Sequence, residues 1–290
     1  MALSQAQQKG EGNGPSKKNV TRLIKDRDKV KATFSWGTFS LSLLIPTLLI
    51  LIWEGGTRFD FIDSRLLPAP STIVQTIWSM GVDGSLWQHT GITLYRIFWG
   101  FLWGTAVAVV FGSVIGMFKT AETMFDPIIQ ALRAIPSLAW VPLFILWLGI
   151  GEGSKVTLIA VGVFFPVYLN VIGGIQSVDR KLIEVGKAYG LTTFQLIRRI
   201  ILPASLPSFF VGLRSGLGLG WMFVVAAELM GASQGLGYLL VLGQNTLQPE
   251  VILASILLFA ILGKLTDAVL KKLQIRALHW QDQIEKGNEK

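Results

Sequence analysis

Cysteine is missing from the sequence altogether, which excludes disulfides, thiolate metal centres and a cysteine nucleophile at once. Histidine is nearly as scarce. His89 and His279 are the only two, and the span order derived below sets them on opposite sides of a membrane, so they cannot share a metal ion. No GxSxG elbow, HExxH pair or GxxxxGK[ST] loop occurs. Gly263-Lys264 lacks both the upstream glycine loop and the hydroxyl that should follow. Neither a catalytic residue nor a metal or cofactor site is therefore expected on this chain. Charge is sparse as well: 15% of the 290 residues are charged against 51% hydrophobic. That balance excludes a soluble domain with a polar surface and reads as an all-α integral membrane protein.

What the chain does have is long apolar runs. Residues 1–33 read as a polar, basic tail rather than a cleaved leader, lacking an apolar stretch followed by a cleavage site. A first span is expected at about Phe34–Trp53, containing Pro46. LLPAPSTIV then breaks the chain before a short amphipathic helix near Ser71–Met80, and another helix begins near Leu86. Further spans are expected at about Ile97–Phe118, Ile128–Leu148 (with Pro136 and Pro142 inside), Val156–Ile175, Phe209–Met230 and Val251–Leu270. Each approaches the roughly 20 residues that cross a hydrocarbon core.

Lysine and arginine orient these spans. With the N-terminus inside, the cytoplasmic segments hold 19 of them, and the opposite loops hold only Arg58, Arg65, Arg96 and Lys155. The asymmetry predicts six spans with both termini and the 177–208 loop cytoplasmic. It also accounts for the net charge of +8 without nucleic acid, since no basic face with interleaved aromatics occurs. Tryptophans such as Trp36, Trp53, Trp87, Trp99 and Trp103 fall near span ends, as an interfacial belt requires.

Two spans carry small residues at every fourth position: Gly100, Gly104, Ala108, Gly112 and Gly116 in one, Gly212, Gly216 and Gly220 in the other. Such seams let another helix approach closely, and they serve intrachain packing, a subunit interface or a sliding surface. Ionisable groups inside the spans are suspects for function. Glu228 lies near the outer end of the fifth span, where a gate latch with Arg96 is the natural role. Arg133 and Arg214 either belong to a polar pathway or reach the inner headgroups. Asn170 needs a hydrogen-bond partner, which a neighbouring helix can supply.

The longest polar interlude is Ser177–Pro203, SVDRKLIEVGKAYGLTTFQLIRRIILP. Asp179 suits the cap of a short helix with Arg180, Lys181, Glu184 and Lys187 on its charged side and Leu182, Ile183, Val185, Ala188 and Tyr189 supplying apolar surface. Gly190 fits the left-handed residue that stops it. Thr192 and Gln195 read as a capping box for a second helix, which Pro203 is expected to end.

Glu184, Gly190 six residues on, then nine residues and Ile200-Ile201-Leu202-Pro203 resemble the E-A-A-x3-G-x9-I-x-L-P signature of ABC importer permeases. The two alanines are Val185 and Gly186 here. The resemblance runs over roughly Leu86–Leu273. ALRAIPSLAWVPLFILWLGIGEGSK and VVAAELMGASQGLGYLL are similar to the permeases for aliphatic sulfonates, taurine, nitrate and bicarbonate, the sulfonate branch above all. It implies the type I importer permease fold (MetI-like) and a division into tail 1–33, first helix and external connection 34–85, permease core 86–273 with coupling loop 177–208, and tail 274–290. It also implies a homodimer in a bacterial inner membrane, with separate ATPase subunits that bind ATP and Mg and an extracytoplasmic substrate-binding protein. Glu184, Ala188, Gly190, Ile200, Leu202 and Pro203 would make the ATPase-coupling element. Two other classes carry distinct expectations. A secondary transporter needs an intramembrane ionic constellation and inverted repeats, and an intramembrane enzyme needs acid and base groups at one depth. The residue pattern displays neither.

Overall fold

A computed structural model describes residues 36–280. The expected tail 1–33 and residues 281–290 lie outside the described residues, as does the start of the first span. Among the described residues every regular element is helical. Of two compact units, the larger runs from Trp53 to His279; the described part of the other includes the first turns of α1 (Trp36–Arg58), an apolar helix with Pro46 inside it.

α2 (Pro70–Val82) begins with proline in its first turn, where no amide hydrogen is needed. Its N-cap residue Ala69 offers no acceptor. Glu54 supplies one from 17 residues upstream, accepting from the Ser71 amide at 3.0 Å and the Ser71 hydroxyl at 2.8 Å. Gly84, at φ +85°, then turns the chain directly into α3 (Ser85–Met117).

Among the described residues four helices are long and apolar enough to cross a membrane: α3, α6 (Glu152–Gln176), the continuous stretch Thr193–Leu229 and α11 (Pro249–Ala277). A fifth crossing exists if α4 (Lys119–Ala134) and Leu138–Leu148, which meet at 87°, count as one broken span. Over the span expected at about Ile128–Leu148 the chain is thus two helices with a bend at Pro136, not one continuous helix. Ile135 takes the extended conformation (φ −70°, ψ 124°) that a following proline favours. A 3-10 turn (Ser137–Trp140) then leads into α5 (Val141–Leu148).

α6 is the central helix, packed between α3 and α9 (Leu202–Leu229). Both glycine seams close on it. A methyl added at Gly100 would meet Ile159 at 2.5 Å, at Gly112 Val171 at 2.9 Å, and at Gly116 Ile175 at 3.2 Å. At Gly104 it would fall on the Ala160 carbonyl. From the other side, Gly212 faces Asn170 at 2.7 Å, Gly216 faces Val167 at 2.9 Å and Gly220 faces Val163 at 3.1 Å. Of the three roles open to the seams, intrachain packing is the one this structure uses. Where lipid is as apolar as leucine, close backbone approach supplies the dispersion contacts that hydrophobic burial supplies in water. α10 (Leu236–Asn245) packs against α9 and α11. α11 keeps an apolar exposed side that includes Ile256, Leu257, Ile261 and Leu265.

Candidate functional site

The loop between α6 and α9 forms as its capping chemistry dictates. Asp179 accepts from the Lys181 amide at 2.9 Å and opens α7 (Arg180–Ala188). Gly190, at φ +73°, ends it without the strain a side chain would suffer there. Thr192 and Gln195 form a reciprocal capping box at α8 (Thr193–Leu196). Pro203 does not terminate this second helix as expected. A π-turn, Ile197–Ile201, carries the helix into α9, with the Leu202 amide reaching back to the Ile197 carbonyl. The widened turn takes up the hydrogen bond that proline cannot donate, so Pro203 sits in the first turn of α9.

The two departures from the alanine pattern have different settings. Gly186 is buried where α7 meets the helix after it; a methyl there would lie 2.5 Å from Leu196 and 2.7 Å from Ile200. Val185, expected on a packing face, is instead exposed. With Leu182 and Tyr189 it forms a stripe at i, i+3 and i+7 along the outer face of α7, and Phe194 is exposed on α8. Glu184 and Ala188 are both on the surface, and Glu184 makes no ion pair with Lys181 or Lys187 among the described residues. Ile200 is half-buried and Leu202 exposed. The outer face of α7 thus carries an apolar stripe without cover among the described residues, edged by charge.

At the far end of the α6–α9 pair, about 37 Å away along α6, lies a buried ion cluster. Arg96, in α3, donates from Nε and Nη2 to both Glu152 oxygens at 2.7 and 2.6 Å, and from Nη1 to Glu228 and the Gln234 carbonyl at 2.8 Å each. Glu228 also accepts from the Thr93 hydroxyl at 2.8 Å and the Gly237 amide at 2.7 Å. Thr93 in turn accepts from the Leu236 amide, and His89 Nδ1 accepts from the Gly235 amide at 3.1 Å. Three residues one helical turn apart on α3 thus pin Gln234, Gly235 and Leu236, where the connection from α9 enters α10. Gly235, at φ +120°, has the Glu228 carboxylate 2.6 Å from where a side chain would begin, so only glycine fits. Lys155 completes the cluster, with Nζ 3.5 Å from Glu152.

The pair Arg96–Glu228 that the sequence suggests is therefore in contact, but in company that sequence reasoning misses: Glu152, Thr93, His89, Gly235 and Gly237. Two expectations change with it. The span order places Arg96 and Lys155 in external loops, yet both are buried within helices. The inventory of acids and bases, which the sequence leaves scattered, also changes: Arg96, Lys155, Glu152 and Glu228 are gathered in one place with their charges mutually paired. A usable signal is the i, i+3 pair Glu152 and Lys155 at the start of an apolar span, facing Glu228 at the end of another.

The remaining candidates are dispersed. Arg214 is held bidentate by Asp267 at 2.8 and 3.0 Å, an acid that sequence reasoning leaves unassigned. Asn170 donates to the Pro166 carbonyl of its own helix at 2.8 Å rather than to a neighbour. Arg133 lies in the last turn of α4, 3.4 Å from Gln130, and is exposed, where the helix dipole favours a cation. No group of three or more His, Asp or Glu able to hold a metal ion occurs among the described residues.

Comparison with known proteins adds four findings. Residues 104–278 match the family described as binding-protein-dependent transport system inner membrane component. A protein of Bacillus subtilis (strain 168), named as an aliphatic sulfonates transport permease, is 41% identical over 84% of this chain and 88% of its own length. The taurine transport system permease protein of Escherichia coli (strain K12) is 33% identical over 85% and 91%. Among solved structures, a chain of the inward-facing MetNI methionine ABC transporter superposes with a TM-score of 0.54 at 19% identity, covering 73% of this chain and 98% of that one.

Proposed function

The chain belongs to the binding-protein-dependent transport system inner membrane components, and from that premise we propose that it moves a small organic anion, an aliphatic sulfonate or taurine, by coupling to a separate ATPase through α7 and Gly190. It is a multi-pass inner-membrane permease of an ABC importer. In the proposed arrangement the chain crosses six times with both termini cytoplasmic and pairs with a second copy. ATP and Mg are bound by the ATPase subunits, and a binding protein delivers cargo from outside.

The observation that carries this reading is the exposed Leu182–Val185–Tyr189 stripe on a helix capped at one end and stopped by a left-handed glycine at the other. Its spacing from Glu184 to Pro203 follows the coupling signature. Such a knob docks in a cleft and passes rigid-body motion to α6 and α9, which it joins directly. Glu184, without an ion-pair partner among the described residues, is left to accept a charge-assisted bond from an ATPase arginine. Co-purification tests this: Glu184→Ala should leave the permease inserted but weaken ATPase retention and uncouple uptake. Undiminished ATPase capture would refute the role.

Arg96 and Glu228 serve as a latch at the opposite end, tying α3 to α9. The sulfonate or taurine assignment draws on the names of the relatives; nitrate, bicarbonate and cyanate share the same charge logic. Glu228→Gln should alter ATP-driven uptake kinetics, and unchanged kinetics would remove the latch. The ionic cluster alone suits an ion-coupled carrier too, but family membership favours the ATP-driven mode. Uptake by this chain alone in an ion gradient would reverse that preference.

A further inference from the structure

The members of the buried cluster are not equivalent. Arg96 and Glu228 side chains are 2% and 0% exposed, and Lys155 is 9% exposed, while Glu152 is 45% exposed. Glu228 is held by a hydroxyl, a backbone amide and the guanidinium together. Glu152 is held only by the two cations, Arg96 and Lys155, among the described residues. One carboxylate is part of the framework, and the other is a tethered occupant.

We propose that Arg96 and Lys155 form a binding site for the oxyanion group of a small organic acid, sulfonate above all, which Glu152 fills in the conformation seen here. The guanidinium offers Nε and Nη2 side by side, and Glu152 occupies both in the fork geometry that two sulfonate oxygens also match. Two cations face two carboxylates, so the cluster is balanced with Glu152 in place. When Glu152 swings into solvent, one positive charge is left uncompensated at a site walled by apolar side chains, and an incoming monoanion restores the balance. A cavity of about 10 Å³ lined by Ser154 and Lys155 among apolar neighbours lies beside the second cation, room for about one water or a third oxygen. Glu228 stays as the counter-ion that keeps the site from trapping its cargo, since a lone pair of buried cations would hold an anion too tightly to release it.

This site rests on the anion-importer reading but is tested apart from it, by binding to the full-length permease in nanodiscs with no ATPase or receptor present. Ethanesulfonate is the probe, titrated by calorimetry. Glu152→Ala should bind it at least about tenfold more tightly than the unmodified protein, because a tethered competitor acts at millimolar effective concentration. Adding Lys155→Met should abolish the gain. Should Glu152→Ala fail to fold, Glu152→Gln keeps the shape, drops the charge and should show the same order. Equal affinity with and without Glu152 overturns the site, as does a gain that survives loss of Lys155. A gain for short-chain phosphatidylglycerol but not ethanesulfonate also overturns it, since that would mark a lipid headgroup site. No ATP-driven sulfonate uptake by the unmodified permease with its ATPase and receptor, with the binding gain intact, would strike the importer reading and leave the site standing.

Discussion

Replacing Arg96 by methionine isolates what the buried cluster contributes to stability. The guanidinium makes four donations at 2.6–2.8 Å, and its loss leaves Glu228, wholly buried, with only the Thr93 hydroxyl and the Gly237 amide. Glu152 is half exposed and can turn to solvent, so its share of the loss is small. An uncompensated buried carboxylate costs about 3–5 kcal/mol. For a chain of this size about 2–4 °C accompanies each kcal/mol, so the melting temperature should fall by about 6–20 °C. The assay is thermal unfolding in nanodiscs followed by tryptophan fluorescence, with ten tryptophans as reporters. The decisive comparison is the double variant Arg96→Met/Glu228→Gln, which removes the charge along with its partner. It should melt above Arg96→Met alone, and the coupling should exceed about 0.5 kcal/mol. A single variant melting within about 2 °C of the unmodified protein, or two losses that simply add, would refute the account.

Three further substitutions test the packing and the proposed coupling surface. Gly104→Leu drives a side chain into the Ala160 carbonyl and Val163 and should destabilise by about 1–3 kcal/mol or more. Gly173→Ala, on the central helix with nothing within 4 Å, should melt as the unmodified protein does. Tyr189→Ala removes a side chain that is 83% exposed, so melting should hold while ATPase affinity drops roughly tenfold or more. A shift in melting without a change in affinity would assign Tyr189 to the fold.

Much of the loop is legible in the sequence because caps and stops are local. Asp179, Gly190, Thr192 and Gln195 act on backbone groups within three or so residues, and each does in the structure what its chemistry predicts. Pro203 misleads because its missing amide hydrogen can be absorbed by a π-turn as well as by a helix end, and sequence does not say which. Pro136 is easily underrated for the converse reason. A neighbouring helix can satisfy the carbonyls freed by a proline, and the residues before Pro127, Pro166 and Pro207 stay helical, whereas Ile135 takes the extended conformation that a following proline favours.

The order of apolar spans, the placement of positive charge and the spacing of the coupling signature belong to the sequence, since each depends on neighbours along the chain. Which face of α6 receives which glycine seam, and the entry of Glu152 from a third helix into the Arg96–Glu228 pair that the sequence suggests, came only with the tertiary structure. Those two acids lie 56 and 132 positions from Arg96. No local rule registers pairs so far apart; the close approach of α3, α6 and α9 brings them within bonding distance, and burial among apolar side chains then makes their pairing obligatory.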